Sequence, residues 1–183
     1  MQKAYAGIGA RTTPPEYQQY MKLAAQQLRE NNLILRSGGA SGADSAFEEG
    51  AGPNNHHFFR RKEIYLPWSG FNRHSDDGVI WPNAKSVQKA NEISRVHHPY
   101  WEKLSGTVKS LMARNTFQIL GQNLDDPALF VLCWTDGGKG HGGTGQAIRI
   151  AKTYKIPVFD MGGMSLDHIA QSLNQLLELL RSE

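Results

Sequence analysis

Five short apolar segments punctuate the chain, at 4–8, 33–37, 64–67, 128–134 and 156–160, and stretches with helical spacing separate most of them. Strands that read as unbroken apolar runs, rather than alternating with polar residues, are buried on both faces, which requires a parallel sheet covered by helices on each side. The expected fold is therefore α/β: a Rossmann-like, doubly wound, mainly parallel sheet of at least five strands, formed by residues 1–183 as one domain.

Glycine gathers at three of these strand ends. The loops are Gly7-Ile8-Gly9-Ala10-Arg11, Ser37-Gly38-Gly39-Ala40-Ser41-Gly42-Ala43-Asp44, and the run from Gly137 to Gly145 that continues into Gln146. In open parallel sheets ligands bind beyond the carboxyl ends of the strands, so the three loops should converge and offer backbone N–H groups and helix N-termini to an anion. None is a Walker loop. The first does not complete G-x-G-x-x-G, because Thr12 stands where the last glycine belongs, which disfavours an ordinary nicotinamide dehydrogenase.

Local signals refine the elements. Thr12 or Thr13 should cap a first helix entered through Pro14-Pro15 and ended by Asn31-Asn32. The segment 68–82 is long and irregular, a length that suits a lid or a pocket wall. A helix is expected over 84–96 and another over 101–120, whose apolar face would carry Trp101, Leu104, Val108, Leu111, Met112 and Ile119. Asn115 falls near the middle of that face and should be buried, either tying the helix to a strand-end loop or touching a ligand. Arg114 lies on the flank, placed to clamp a phosphate or carboxylate.

The segment ending in Gly9-Ala10-Arg11, the loop 37–44 leading to Glu49-Gly50-Ala51, the helix Leu111-Met112-Ala113-Arg114-Asn115, and Gly142-Gly143-Thr144-Gly145-Gln146-Ala147 together resemble the SLOG superfamily. That group includes the LOG phosphoribohydrolases, formerly called lysine decarboxylase-like, and the DprA-like DNA-processing proteins; the overall look is nearest its small, often phage-encoded members. The LOG motifs imply N-glycosidic cleavage of nucleoside 5′-monophosphates by an arginine and a glutamate. Arg114 matches the arginine, but Asn115 replaces the lysine beside it, and Ala147 stands at the glutamate position. Glycosidic cleavage usually needs a carboxylate, so Asp44, Glu48, Asp76, Asp77 or Asp136 would have to supply it from another loop.

The resemblance therefore implies binding of a nucleotide-derived ligand, such as a nucleoside phosphate, an NAD or ADP-ribose type molecule or a cyclic derivative, by a sensor, carrier or sequestering protein. The residues expected to hold it are Gly9, Ala10, Arg11, Ser37, Gly38, Gly39, Ser41, Gly42, Asp44, Arg114, Asn115, Gly142, Gly143, Thr144, Gly145 and Gln146, with Arg114 and Asp44 the candidates for any catalysis. Asp44 would accept from a ribose hydroxyl or cap its helix, and Trp134, Trp68 and Phe71 would stack a base or serve the core. The alternatives are nucleoside-monophosphate glycosidase activity and DprA-like binding of single-stranded DNA through the strip Phe58, Phe59, Arg60, Arg61 and Lys62. The formal charge of only +3 argues against nucleic acid as a partner.

No cofactor or metal is expected. The pairs His56-His57 and His97-His98 lack ligand spacing, and Cys133, the single cysteine, sits inside an apolar strand where an inert thiol is the simpler reading. One cysteine, the want of a leader pattern at residues 1–7 and the absence of a 20-residue apolar run point to a soluble, cytoplasmic chain with no membrane partner. Homo-oligomerisation is expected by family analogy and from a closing amphipathic helix at 166–180, whose Leu166, Ile169, Leu173, Leu176, Leu177 and Leu180 could equally pack within the monomer.

Overall fold

A computed structural model of the chain describes residues 3–54 and 60–182. Five parallel strands form one sheet: β1 (Ala4–Gly9), β2 (Ile34–Ser37), β3 (Lys62–Ile64), β4 (Val131–Trp134) and β5 (Val158–Asp160). Their spatial order is β3-β2-β1-β4-β5, so the chain starts in the middle, winds one way through β2 and β3, and returns to the other side of β1 with β4. This is the Rossmann-like doubly wound arrangement, with its switch point between β1 and β4.

Both faces are covered. Alternate side chains point to opposite faces: Tyr5, Leu35 and Leu132 pack with α1 (Pro15–Glu30), α2 (Ala43–Ala51) and α6 (Leu166–Ser182) through Met21, Leu28, Phe47, Ile169 and Leu173. Ala6, Ile8, Val131 and Cys133 face the other way. They meet α3 (Ala84–His97), α4 (Gly106–Leu120) and α5 (Gly142–Thr153) through Ala90, Phe117, Ile148 and Ile150. The apolar stripe of α6 is thus used inside the protein, where Ile169, Leu173 and Leu177 are buried, and it supplies no argument for a second copy.

Several expected boundaries move for identifiable reasons. Neither Thr12 nor Thr13 caps α1. Pro14 is the N-cap residue, and the Thr13 hydroxyl donates to Ala10 O at 2.7 Å, stapling the β1–α1 loop instead. The helix expected from Trp101 begins at Gly106, where the Ser105 hydroxyl accepts from Val108 N; Trp101–Lys103 is a separate 3-10 turn, so Trp101 and Leu104 leave the α4 face. The third strand lies two residues earlier than the apolar run 64–67, because its charged residues are neutralised internally. Glu63 pairs with buried Arg36 of β2 at 2.8 Å, and Lys62 pairs with Asp77 at 3.0 Å and Glu48 at 3.5 Å.

The segment 68–82 is pinned along its length. Phe71 is buried, Ile64 N donates to Gly78 O, Ile80 N donates to Ile64 O, and His74 Nε2 meets Glu48 Oε2 at 2.8 Å. Among the described residues no helix is long and apolar enough to cross a membrane.

Candidate functional site

The switch point opens into a cavity of about 250 Å³. Four parts of the chain build it. The end of β1 and its loop contribute Ile8, Gly9, Ala10 and Arg11; the β2–α2 loop contributes Ala40 and the first turn of α2 Asp44; and α4, crossing beneath, contributes Leu111, Met112, Arg114, Asn115 and Gln118. The start of α5 closes the fourth side with His141, Gly142, Gly143, Thr144 and Ala147. The first-turn N–H groups of a helix lack intrahelical acceptors, and the α5 N-cap, His141, makes no side-chain cap bond. That end of the cavity therefore offers backbone donors and the positive end of a helix dipole.

Of the sixteen residues expected from sequence, Gly9, Ala10, Arg11, Asp44, Arg114, Asn115, Gly142, Gly143 and Thr144 line this cavity. The others stand behind it. Ser37 donates its hydroxyl to Gly7 O at 2.8 Å, Ser41 is exposed, and Gly39 packs under Leu66. Gly42 has φ near +80°, and a Cβ there would lie 2.6 Å from Arg11 O, so glycine is what allows the first two loops to touch. Gly145 packs on Gly140 O, and Gln146 is fully buried. Two lining side chains escaped the sequence reading: His141, hidden in a glycine run, and Gln118, one turn beyond Arg114 on α4.

The polar floor is a connected network. Asn115 Nδ2 donates to Gly143 O at 3.0 Å and to Gln146 Oε1 at 3.1 Å, while its Oδ1 accepts from Arg114 Nη2 at 2.9 Å. A buried amide ties α4 to the first turn of α5, the first of the two roles expected for it. Arg114 Nη1 donates to Gly38 O at 2.9 Å and lies 4.0 Å from Asp44 Oδ2, and the guanidinium stands 5.8 Å from the ring centre of Phe71. Its side chain is largely enclosed rather than extended from a flank.

Asp44 does not cap its helix. It sits in the first turn of α2 and accepts from Ala40 N at 3.2 Å, holding the loop that precedes it. Burial pushes its carboxyl up to about 6, against the opposing pull of Arg114. Burial lowers the Arg114 guanidinium in turn, with Asp44 opposing. Of the carboxylates proposed to replace the missing glutamate, only Asp44 lines the cavity; Glu48 and Asp77 are committed to Lys62, and Ala147 leaves an apolar wall where the glutamate would stand.

The remaining candidates fall elsewhere. Trp134 is buried beside Tyr17, a core role. Trp68 is partly exposed and stacks edge-on against Phe71. Burial pushes the Cys133 thiol well above its ordinary range. Phe58, Phe59, His56 and His57 lie outside the described residues; of the rest of that strip, Arg60 pairs with Glu63 and Lys62 is buried. Among the described residues no cluster of three or more His, Cys, Asp or Glu is placed to hold a metal.

No protein-family model matches the chain, and no curated protein matches it. Among solved structures the fold is similar to that of DNA processing protein A from Helicobacter pylori, a single-stranded DNA-binding protein, with a TM-score of 0.58 and 21% identity. The match covers 87% of this chain and 65% of that one. The fold is thus a DprA-like Rossmann fold. This corrects the expectation that nucleic acid is a disfavoured partner, because a protein of the same fold binds single-stranded DNA. A small net charge does not exclude such a partner, because strand binding depends on where the cations stand rather than on their sum.

Proposed function

We propose that the protein binds single-stranded nucleic acid, with one nucleotide of the strand seated in the switch-point cavity. The observation that carries this reading is the cavity itself: a phosphate-ready turn at Gly142–Thr144, apolar walls from Ile8, Leu111 and Met112, and a polar floor, in the fold of a protein that binds single-stranded DNA. The phosphate would lie against the first turn of α5 and the exposed Arg11, and the base between the apolar walls. Kinship with the SLOG superfamily and its phage-encoded members belongs to the same proposal.

A second reading, a free nucleotide-derived ligand, is favoured by the charge of the lining. Arg11 is its one exposed arginine or lysine, since Arg114 is committed to Gly38, Asn115 and Asp44. Fluorescence anisotropy of labelled dT12 separates the two. Strand binding that weakens steeply with salt, and that Arg11→Glu and Gly143→Glu abolish, supports the first reading. Absence of dT12 binding at low salt by folded protein overturns it, and stabilisation by mononucleotides in the same samples then supports the second. Release of free base would instead reveal a glycosidase.

A further inference from the structure

The floor of the cavity contains more donor capacity than the protein uses. Gln118 is 1% exposed, and its Nε2 has no hydrogen-bond partner. The Nε of Arg114 is likewise buried and unpartnered. The two side chains are neighbours: a Cβ on Gly38 would lie 2.7 Å from both the Arg114 guanidinium and Gln118 Nε2. A buried donor without an acceptor is costly, so the Gln118 amide should take the orientation that gives the Arg114 guanidinium one. A half-turn of the Gln118 amide exchanges its oxygen and nitrogen without altering its packing. The guanidinium only donates, so it draws the amide oxygen to its side and leaves the nitrogen for the cavity.

The same cavity is lined by a group of opposite character, the Asp44 carboxylate, 4.0 Å from Arg114 Nη1. An acceptor beside a donor matches one class of nucleobase edge. Uracil, thymine, guanine and hypoxanthine present a ring N–H next to a carbonyl; adenine and cytosine present a bare ring nitrogen next to an amino group. We propose that the cavity selects nucleotides with a lactam edge, Asp44 accepting the ring N–H and Gln118 donating to the adjacent carbonyl. An adenine or cytosine in the same place sets its amino group against Gln118 and its lone pair against the carboxylate. This rests on the reading that a nucleotide occupies the cavity, whether in a strand or free.

The test is competition for labelled dT12 by IMP, AMP, UMP and CMP. Each purine or pyrimidine pair shares its phosphate, sugar and ring size and differs at that edge, so strand flexibility and stacking length do not enter. IMP and UMP are expected to compete about tenfold better than AMP and CMP, the discrimination of one good two-point contact. Gln118→Leu, with circular dichroism and melting to establish its fold, should lower each ratio to about threefold, the part that Asp44 supplies; Gln118→Glu, which replaces the donor by an acceptor, should bring each ratio near one and serves alone if the leucine variant does not fold.

Equal competition within both pairs, no competition by any of the four, or a ratio that survives both substitutions overturns the proposal. Failure of dT12 to bind refutes strand binding alone. Thermal shifts with the same four nucleotides then read the preference directly, and their equality overturns the base selection.

Discussion

Replacing Asp44 by Asn should remove a specific slope from the pH dependence of stability. The carboxyl is 3% exposed and its folded value is pushed up to about 6 from an ordinary 3.8, burial being the cause and Arg114 the partial remedy. Below about pH 4 the folded and unfolded chains both hold this proton, and well above pH 6 both have lost it. Between those limits the folded chain binds more protons, so stability falls as pH rises. The gap is worth about 3 kcal/mol over the window. The amide of the Asp44→Asn variant cannot titrate, but it leaves Arg114 without a carboxylate beside it, so the absolute offset between the proteins is not the informative quantity. The difference between their unfolding free energies, measured by urea titration followed by tryptophan fluorescence at intervals from pH 4 to 7.5, cancels the other groups. It should drift by about 3 kcal/mol against the parent protein as pH rises. Parallel curves would mean that Asp44 is solvated, and the description of the cavity floor would fall with it.

Other perturbations probe neighbouring parts of the argument. Asn115→Leu removes the tie between α4 and the start of α5 and leaves Arg114 Nη2 without Asn115 Oδ1; it should cost about 1–3 kcal/mol in urea unfolding, and an unchanged midpoint would refute the bridging role. Arg36→Met leaves the buried Glu63 with only the half-exposed Arg60 and the Tyr65 hydroxyl and should cost about 3 kcal/mol, whereas Arg36→Met with Glu63→Leu should recover most of it; equal losses in both proteins would show that packing, not the weakened ion pairing, is responsible. Gly42→Ala places a Cβ against Arg11 O at a positive φ and should destabilise by about 1–3 kcal/mol while also weakening dT12 binding, read by melting and anisotropy on the same preparation.

The sheet was legible because most of its strands are apolar on both faces and its helices keep a clean period; the number of strands and their parallel sense follow from that, and the place of β3 does not. What escaped lay where polarity carries structure. Lys62 and Glu63 form β3 although charged, since their partners Arg36, Glu48 and Asp77 come from distant parts of the chain and no local pattern announces them. The start of α4 was misplaced because Trp101 and Leu104 happen to fit its period, while the real signal, Ser105 before Gly106, is a cap of ordinary kind. At the site the glycine loops and Arg114 could be named from sequence, but Gln118 could not: its meaning depends on Gly38 lying beside it, and 80 residues separate them.

That separation bears on how the cavity works. Arg114 looks from sequence like a clamp waiting for an anion, yet its guanidinium is already shared among Gly38 O, Asn115 Oδ1 and Asp44. An arginine so engaged is poor at capturing a phosphate, because each contact it gives to ligand must be taken from the protein. It is good at something else. It fixes the β2–α2 loop and the start of α5 relative to one another before ligand arrives, since Gly38 belongs to the first and Asn115 holds the second through Gly143. Arg114→Ala should therefore weaken all nucleotides alike, by loosening two walls at once, and lower the melting temperature. Arg114→Lys should restore neither property fully, because an ammonium cannot hold the two directions of the planar fork. If Arg114→Ala leaves the fold's stability unchanged while selectively losing phosphorylated ligands over the corresponding nucleosides, the guanidinium is a phosphate clamp after all and the organising role fails.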